Sequence, residues 1–187
     1  MKITIGIDIG INGAIAALDA DVNKVLEIVP IPTIPMELLA KKRDGTAKVR
    51  NVYDRLGLVL ALARFRHLPA GRRYACIERP ITMPAQTILT TASMFEGFGL
   101  IQGILIGMGI DHGSVMPVTW TKALLGKIKQ QRGESDYHFK KRKKARSIDK
   151  AIELFPDAGE MIGNNDNFAD AVLIAKWSMD SRKKEEN

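Results

Sequence analysis

The chain has 187 residues, 45% of them apolar, a net charge of +7 and a single cysteine, Cys76. This length and apolar content fit one folded domain with a real core and exclude wholesale disorder. One cysteine excludes an internal disulfide and fits a reducing, cytoplasmic setting. No stretch of about 18 residues is free of polar interruption, so no membrane span is expected. The nearest candidate, Phe98 to Ile110, is short and contains Gln102.

Residues 2–9 are rich in Ile and alternate loosely, which predicts a strand. Gly10 to Gly13 marks a turn, and Ala14 to Asp19 a second strand, giving a hairpin. Lys24 to Ile31 is a third strand, closed by Pro30, Pro32 and Pro35. Residues 36–50 are polar and basic and predict a loop. Val52, Leu56, Val59, Leu60 and Ala63 recur at helical spacing, predicting a helix over 52–66 that is broken by Pro69 and Gly71.

Arg73 to Glu78 reads as a short buried strand, and Pro80 and Pro84 bracket a loop after it. Gln86 to Met108 predicts a long helix. Its Gly99, Gly103 and Gly107 recur every fourth residue and form one smooth face, suited first to intramolecular packing and second to a dimer contact. Ser114 to Val118 reads as a strand and Trp120 to Leu125 as a short helix. A polar stretch from Gly126 to His138 lacks any apolar period. Helices follow over Phe139 to Phe155 and Asn167 to Met179, with a loop over 156–165 between them and a frayed tail after them. The order β-β-β-α-β-α-β-α-α is that of a mixed sheet with helices on its faces.

The charge is unevenly placed. Between Thr119 and Lys150 lie eleven basic residues (Lys122, Lys127, Lys129, Arg132, Lys140, Lys141, Arg142, Lys143, Lys144, Arg146 and Lys150) against three acids, while the rest of the chain nets −1. Such a patch is either a solvated lysine-rich surface or the footprint of a polyanion binder.

Four carboxylates stand out. Asp8 sits inside an apolar strand, where an unpaired charge costs several kcal/mol to bury (about that much in typical interiors). Glu78 ends the strand RYACIE. Asp166 and Asp170 are i, i+4 at the start of the last helix and share one of its faces. Singly, Glu78 reads as a strand end and Asp166 as a helix N-cap. Together the four form a set of hard oxygen ligands suited to Mg²⁺ or Mn²⁺. His67, His112 and His138 are scattered and have no zinc spacing. Carboxylates beside a basic patch fit two-metal phosphodiester cleavage.

GIDIGINGAIAALD, then IERPITMP, a glycine-bearing helix, PVTWTKALLG, a basic helix ending ELFP, and DNFADAVLIA resemble, in that order, a RuvC-type Holliday junction resolvase of the phage and chloroplast branch. The resemblance spans residues 3–176. It implies a ribonuclease H-like fold: a five-stranded mixed sheet of order 3-2-1-4-5 flanked by helices, in one domain over 1–187 with a mobile basic insertion near 126–146. It also implies a homodimer, since paired symmetric nicks in a four-way junction need two sites; the expected setting is the cytoplasm of a bacterium or phage-infected cell. By the same resemblance Asp8, Glu78, Asp166 and Asp170 are catalytic and hold two Mg²⁺ or Mn²⁺ ions, while Lys122, Lys127, Lys129, Arg132, Lys140, Lys141, Arg142, Lys143, Lys144 and Arg146 bind branched DNA. Asn167 stands where the family often has glycine. In some relatives the two acids are three apart, a register that puts Asn167 at the third acid position. Other readings are a related ribonuclease H-like nuclease acting on other branched DNA or DNA–RNA hybrid, an actin-like ATPase sharing the GIDIG start, and a DNA-binding protein without catalysis.

Overall fold

A computed structural model describes residues 1–41, 43–66, 72–82 and 86–185. Its strands are β1 (Lys2–Asp8), β2 (Ala14–Asp19), β3 (Lys24–Pro30), β4 (Thr33–Lys41), β5 (Ala47–Tyr53), β6 (Arg72–Glu78) and β7 (Asp111–Val115). The helices are α1 (Arg55–Arg66), α2 (Ile88–Gly107), α3 (Pro117–Leu125), α4 (Asp136–Leu154), α5 (Gly159–Ile162) and α6 (Asp166–Glu185). The main sheet has the order β3-β2-β1-β6-β7, which is the expected 3-2-1-4-5 counted over its own five strands. β1 pairs antiparallel with β2 and parallel with β6, and β7 joins parallel at the edge.

Strand alternation sorts the two faces. Ile3, Ile5, Ile7 and Ile9 of the β1 segment, with Ala75 and Ile77 of β6, pack under α1 and α2. Cys76, Ala14 and Ala16 face the other way, toward α3, α4 and α6. With a two-residue period, Gly6 and Asp8 also point to the α6 side, and so does Glu78. Gly6 is what lets α6 lie close: a Cβ there would stand 2.1 Å from the Ala171 carbonyl oxygen and 2.8 Å from Ala175 Cβ.

The principal departure from the sequence reading lies at residues 36–50. These form not a loop but most of an antiparallel ribbon, with Thr33 opposite Tyr53 and Leu38 opposite Lys48. The ribbon is a separate two-stranded sheet, so it has no second layer to impose an alternating apolar pattern. The following helix consequently begins at Arg55 rather than Val52. The edge strand β7 starts at Asp111 instead of Ser114, its polar DHGSV sequence masking it, and Pro117 opens α3 as a helix N1 residue. Residues 126–135 have no helix or strand, whereas 136–154 are helical. α6 continues through Glu185, well beyond the expected end at Met179. His67, Pro69, Gly71 and Pro84 lie outside the described residues.

Among the described residues nothing packs on the glycine face of α2. A Cβ at Gly99, Gly103 or Gly107 would meet no atom within 4 Å, which contradicts the intramolecular role first expected for it. α2 is also, by length and composition alone, long and apolar enough to cross a membrane; the shorter window from Phe98 had hidden this. Its Gly97, Ile101 and Leu105 are buried against the sheet side.

Candidate active site

Asp8 closes β1 and Glu78 closes β6, the strand beside it; Ile7 and Ile77 are paired one residue earlier. Both side chains therefore leave the C-terminal ends of these adjacent central strands toward α6. There Asp170 sits one residue before Ala171, the point of contact with Gly6. The three carboxyls share one environment and oppose one another's ionisation.

Burial pushes Asp8 up to about 6, against a 3.3 Å hydrogen bond from the Gly10 amide; Asp166 adds repulsion. Burial, then Asp8, pushes Glu78 up to about 8, although the Trp120 indole donates to Glu78 Oε1 at 2.8 Å. Burial and Asp8 likewise push Asp170 up to about 7, against a hydrogen bond from the Ser147 hydroxyl. Such a constellation has no structural rationale as a set of carboxylates alone, because ionising all three at neutral pH is unfavourable.

Asp170 Oδ1 is enclosed and has no hydrogen-bond partner among the described residues. A buried acceptor left this way costs about 1–3 kcal/mol. A divalent cation satisfies such an oxygen, and an all-carboxylate donor set is the chemistry preferred by Mg²⁺ and Mn²⁺. Among the described residues no three acidic, His or Cys side chains yet close on one point. The residues therefore fit a metal by donor type and by the orphaned oxygen, and the carboxyls are set near one another instead of being locked into a cage.

Asp166 is placed differently. It forms an ion pair with Lys144 of α4 at 2.8 Å and is partly exposed. It does not cap α6: Asn165 Oδ1 accepts from the amides of Asn167 (3.0 Å) and Phe168 (3.3 Å), leaving the Asp166 carboxylate free to face α4.

Glu78, Asp166 and Asp170 line a cleft of about 670 Å³ between α3, α4 and α6. Lys122, Lys127, Lys140, Lys143 and Lys144 line it too, so five of the ten expected DNA-binding residues meet the acids. The others lie elsewhere. Arg142 holds Glu134 at 2.7 Å and donates to the Lys129 carbonyl at 3.0 Å, tying residues 129–134 to α4. Arg146 donates to the Leu125 carbonyl at 2.6 Å and so caps the end of α3. Lys129, Arg132 and Lys141 are exposed and are not among the cleft-lining residues.

Three supporting residues escaped the sequence reading as parts of the site. Trp120 and Ser147 bond the acids directly. Tyr53 donates to the Ile9 carbonyl at 2.5 Å, fixing the backbone beside Asp8, and its ring lies against Gly97, where a Cβ would stand 2.3 Å away. Only the Trp in PVTWTK carried a signal, since a buried indole N–H requires an acceptor. On α2, Phe98 packs against the core and Phe95 is half exposed.

No family model matches the chain, and no curated relative does. Solved structures do. The chain is similar to "T. thermophilus RuvC in complex with Holliday junction substrate" with a TM-score of 0.55 and 14% identity, over 98% of this chain and 97% of that one. It is also similar to "Thermus thermophilus RuvC structure" with a TM-score of 0.50 and 13% identity, over 97% and 96%. The match over nearly both full lengths, with the strand order above, shows that this chain has the ribonuclease H-like fold of RuvC.

Proposed function

We propose that the chain is a Holliday junction resolvase: a divalent-metal-dependent endonuclease that makes paired nicks in four-way DNA. The observation that carries this reading is the placing of Asp8 and Glu78 at the C-terminal ends of two adjacent strands, facing Asp170 of α6 with its orphaned Oδ1, beside a cleft walled by lysines. The structural neighbour described with a Holliday junction substrate supports the choice of branched DNA over other polyanions.

Asp8, Glu78 and Asp170 would hold Mg²⁺ or Mn²⁺, with Asp166 joining them on release from Lys144. When bound, two such ions supply an activated water and charge neutralisation at the leaving oxygen. The chain's own residues do the rest. Trp120 fixes the Glu78 rotamer through Oε1. Ser147 orients Asp170 so that its other oxygen remains available. Lys140 and Lys143 on one wall and Lys122 and Lys127 on the other attract the phosphate backbone. Lys144 neutralises Asp166 in the free protein and is positioned to exchange that carboxylate for a phosphate.

Paired nicks require two copies, and α2 supplies a face for the second. Gly99, Gly103 and Gly107 are open, and Ile88, Leu89 and Ile106 are exposed on the same helix. An apolar helix with an unfilled small-residue stripe fits the self-complementary contact of a two-fold dimer.

The deciding experiment compares a synthetic four-way junction with linear duplex, flap and DNA–RNA hybrid, each with Mg²⁺ and with EDTA. Symmetric paired nicks on the junction, lost in EDTA, are expected. Equal or better cutting of the flap or hybrid would instead assign the site to another nuclease of this fold.

A further inference from the structure

The basic cleft is not the only cationic feature. The described residues of the β4–β5 ribbon, within 33–53, carry four Lys or Arg (Lys41, Arg43, Lys48 and Arg50) against two acids, Glu37 and Asp44. This charge is invisible to a whole-chain balance, because acids elsewhere offset it. Lys41, Arg43 and Lys48 are exposed around the turn.

The ribbon is rooted at the active-site edge. β3 ends at Pro30, which pairs with Ala14, itself the partner of Asp8. The base is closed by the Asp54 amide on the Pro32 carbonyl at 3.0 Å. On the return strand Tyr53 bonds the Ile9 carbonyl, one residue from Asp8. Beyond that base, among the described residues, β4 and β5 pair with each other and with no other strand. They leave Leu39 fully exposed and Val49 half exposed. A lone two-stranded ribbon is marginal in water unless something covers it.

We infer that the β4–β5 ribbon is a second nucleic-acid contact, which grips a duplex arm leading away from the cleavage site. Three features argue for DNA as the occupant. The ribbon's charge has the same sign as the cleft's. A two-stranded ribbon is a width the major groove admits. The exposed apolar side chains Leu39 and Val49 are of the kind that pack against thymine methyls or sugars. From Thr33 opposite Tyr53 to Lys41 opposite Ala47 the ribbon spans the six steps of β5, about 20 Å at about 3.3 Å per residue, the length of about 6 base pairs. The inference rests on the resolvase reading only for the identity of the duplex as an arm of branched DNA.

The test uses the full chain with Asp8→Asn to suppress cutting, with and without Lys41→Ala, Arg43→Ala and Lys48→Ala together. Affinity for a four-way junction and for linear duplex is measured from 50 to 200 mM salt, and the junction complex is footprinted with hydroxyl radicals. Loss of three phosphate contacts should flatten the log–log salt slope by about 2.7, so the triple variant loses about 40-fold less affinity over that range. Its footprint should retract toward the crossover by up to about 6 base pairs. Circular dichroism and melting temperature should hold, since the substituted side chains touch solvent.

An unchanged slope and footprint would overturn the inference while leaving the cleft and its chemistry intact. An unchanged slope with altered sedimentation would make the ribbon a protein contact and overturn it equally. If the chain prefers linear duplex to the junction, the resolvase reading fails, and the slope difference on duplex still decides the ribbon. Absence of any DNA binding in the unsubstituted chain would overturn both.

Discussion

The Trp120 indole N–H donates to Glu78 Oε1 across 42 residues of sequence, at 2.8 Å, and so ties the start of α3 to the end of β6. It favours the ionised form of a carboxyl that burial and Asp8 nonetheless push up to about 8. Trp120→Phe keeps the apolar body in the core and removes only the donor. Partners of metal-holding side chains commonly contribute about 10–100-fold to affinity or activity. The expected outcome is a loss of that size in Mn²⁺ affinity and nicking rate, with a stability change near 1 kcal/mol, about one hydrogen bond. Isothermal titration and single-turnover cleavage check both. Unaltered Mn²⁺ affinity would remove Trp120 from the site.

Stability without metal should fall as pH rises. In the unfolded chain Asp8, Glu78 and Asp170 lose their protons near their ordinary values, about pH 4. In the folded chain burial holds the protons on up to about 6, 8 and 7 respectively. Between pH 4 and 8 the folded state therefore binds more protons, and unfolding free energy decreases with pH through that window. In EDTA the melting temperature should be higher at pH 5 than at pH 8, and Asp170→Asn should raise the pH 8 value. Divalent cation should restore stability at pH 8, by about 2.7 kcal/mol at 100 times its dissociation constant. A melting temperature that climbs from pH 5 to pH 8 in EDTA would show that these acids do not govern the profile.

The carboxylates were legible in the sequence because each breaks a pattern: Asp8 interrupts an isoleucine run, Glu78 ends RYACIE, and Asp170 sits between alanines. The sheet order was legible for a related reason, since strands buried on both faces announce themselves by apolar runs. What failed to show shares the opposite cause. The β4–β5 ribbon and β7 bury little, so TIPMELLAK and DHGSV carry no period. The division of labour within the basic helix was equally hidden. Lys140, Lys143 and Lys144 look no different in sequence from Arg142 and Arg146, yet the two arginines bond Glu134 and the Leu125 carbonyl.

Asp8→Asn should abolish cleavage while preserving junction binding or tightening it. The substitution removes a negative charge that repels phosphate, and it leaves the lysine walls intact. Gel-shift titration beside a nicking assay reads both effects. Loss of binding along with cleavage would place Asp8 in the architecture of the site rather than in its chemistry.

The two kinds of basic residue on α4 should separate experimentally. Lys140→Ala with Lys143→Ala should weaken binding to all DNA forms and flatten the salt slope by about 1.8, at about 0.9 per phosphate contact. Arg142→Ala should change the slope little. Instead it should expose residues 126–135 to proteolysis, because Arg142 anchors Glu134 and the Lys129 carbonyl. Equal slope changes in both variants would mean that Arg142 leaves Glu134 to contact DNA.

A substitution at Gly103 tests the proposed dimer separately from the fold. Space is open around it, and replacing a mid-helix glycine adds helix propensity, so the folded protomer should tolerate a side chain there. A two-fold contact through the same stripe would not, because each backbone must approach the other closely. Gly103→Glu would also set two carboxylates together at the axis. The expected result in sedimentation is a monomer with unchanged circular dichroism, and on junction DNA single unpaired nicks in place of symmetric pairs. A Gly103→Glu protein that still sediments as a dimer would move the interface off α2.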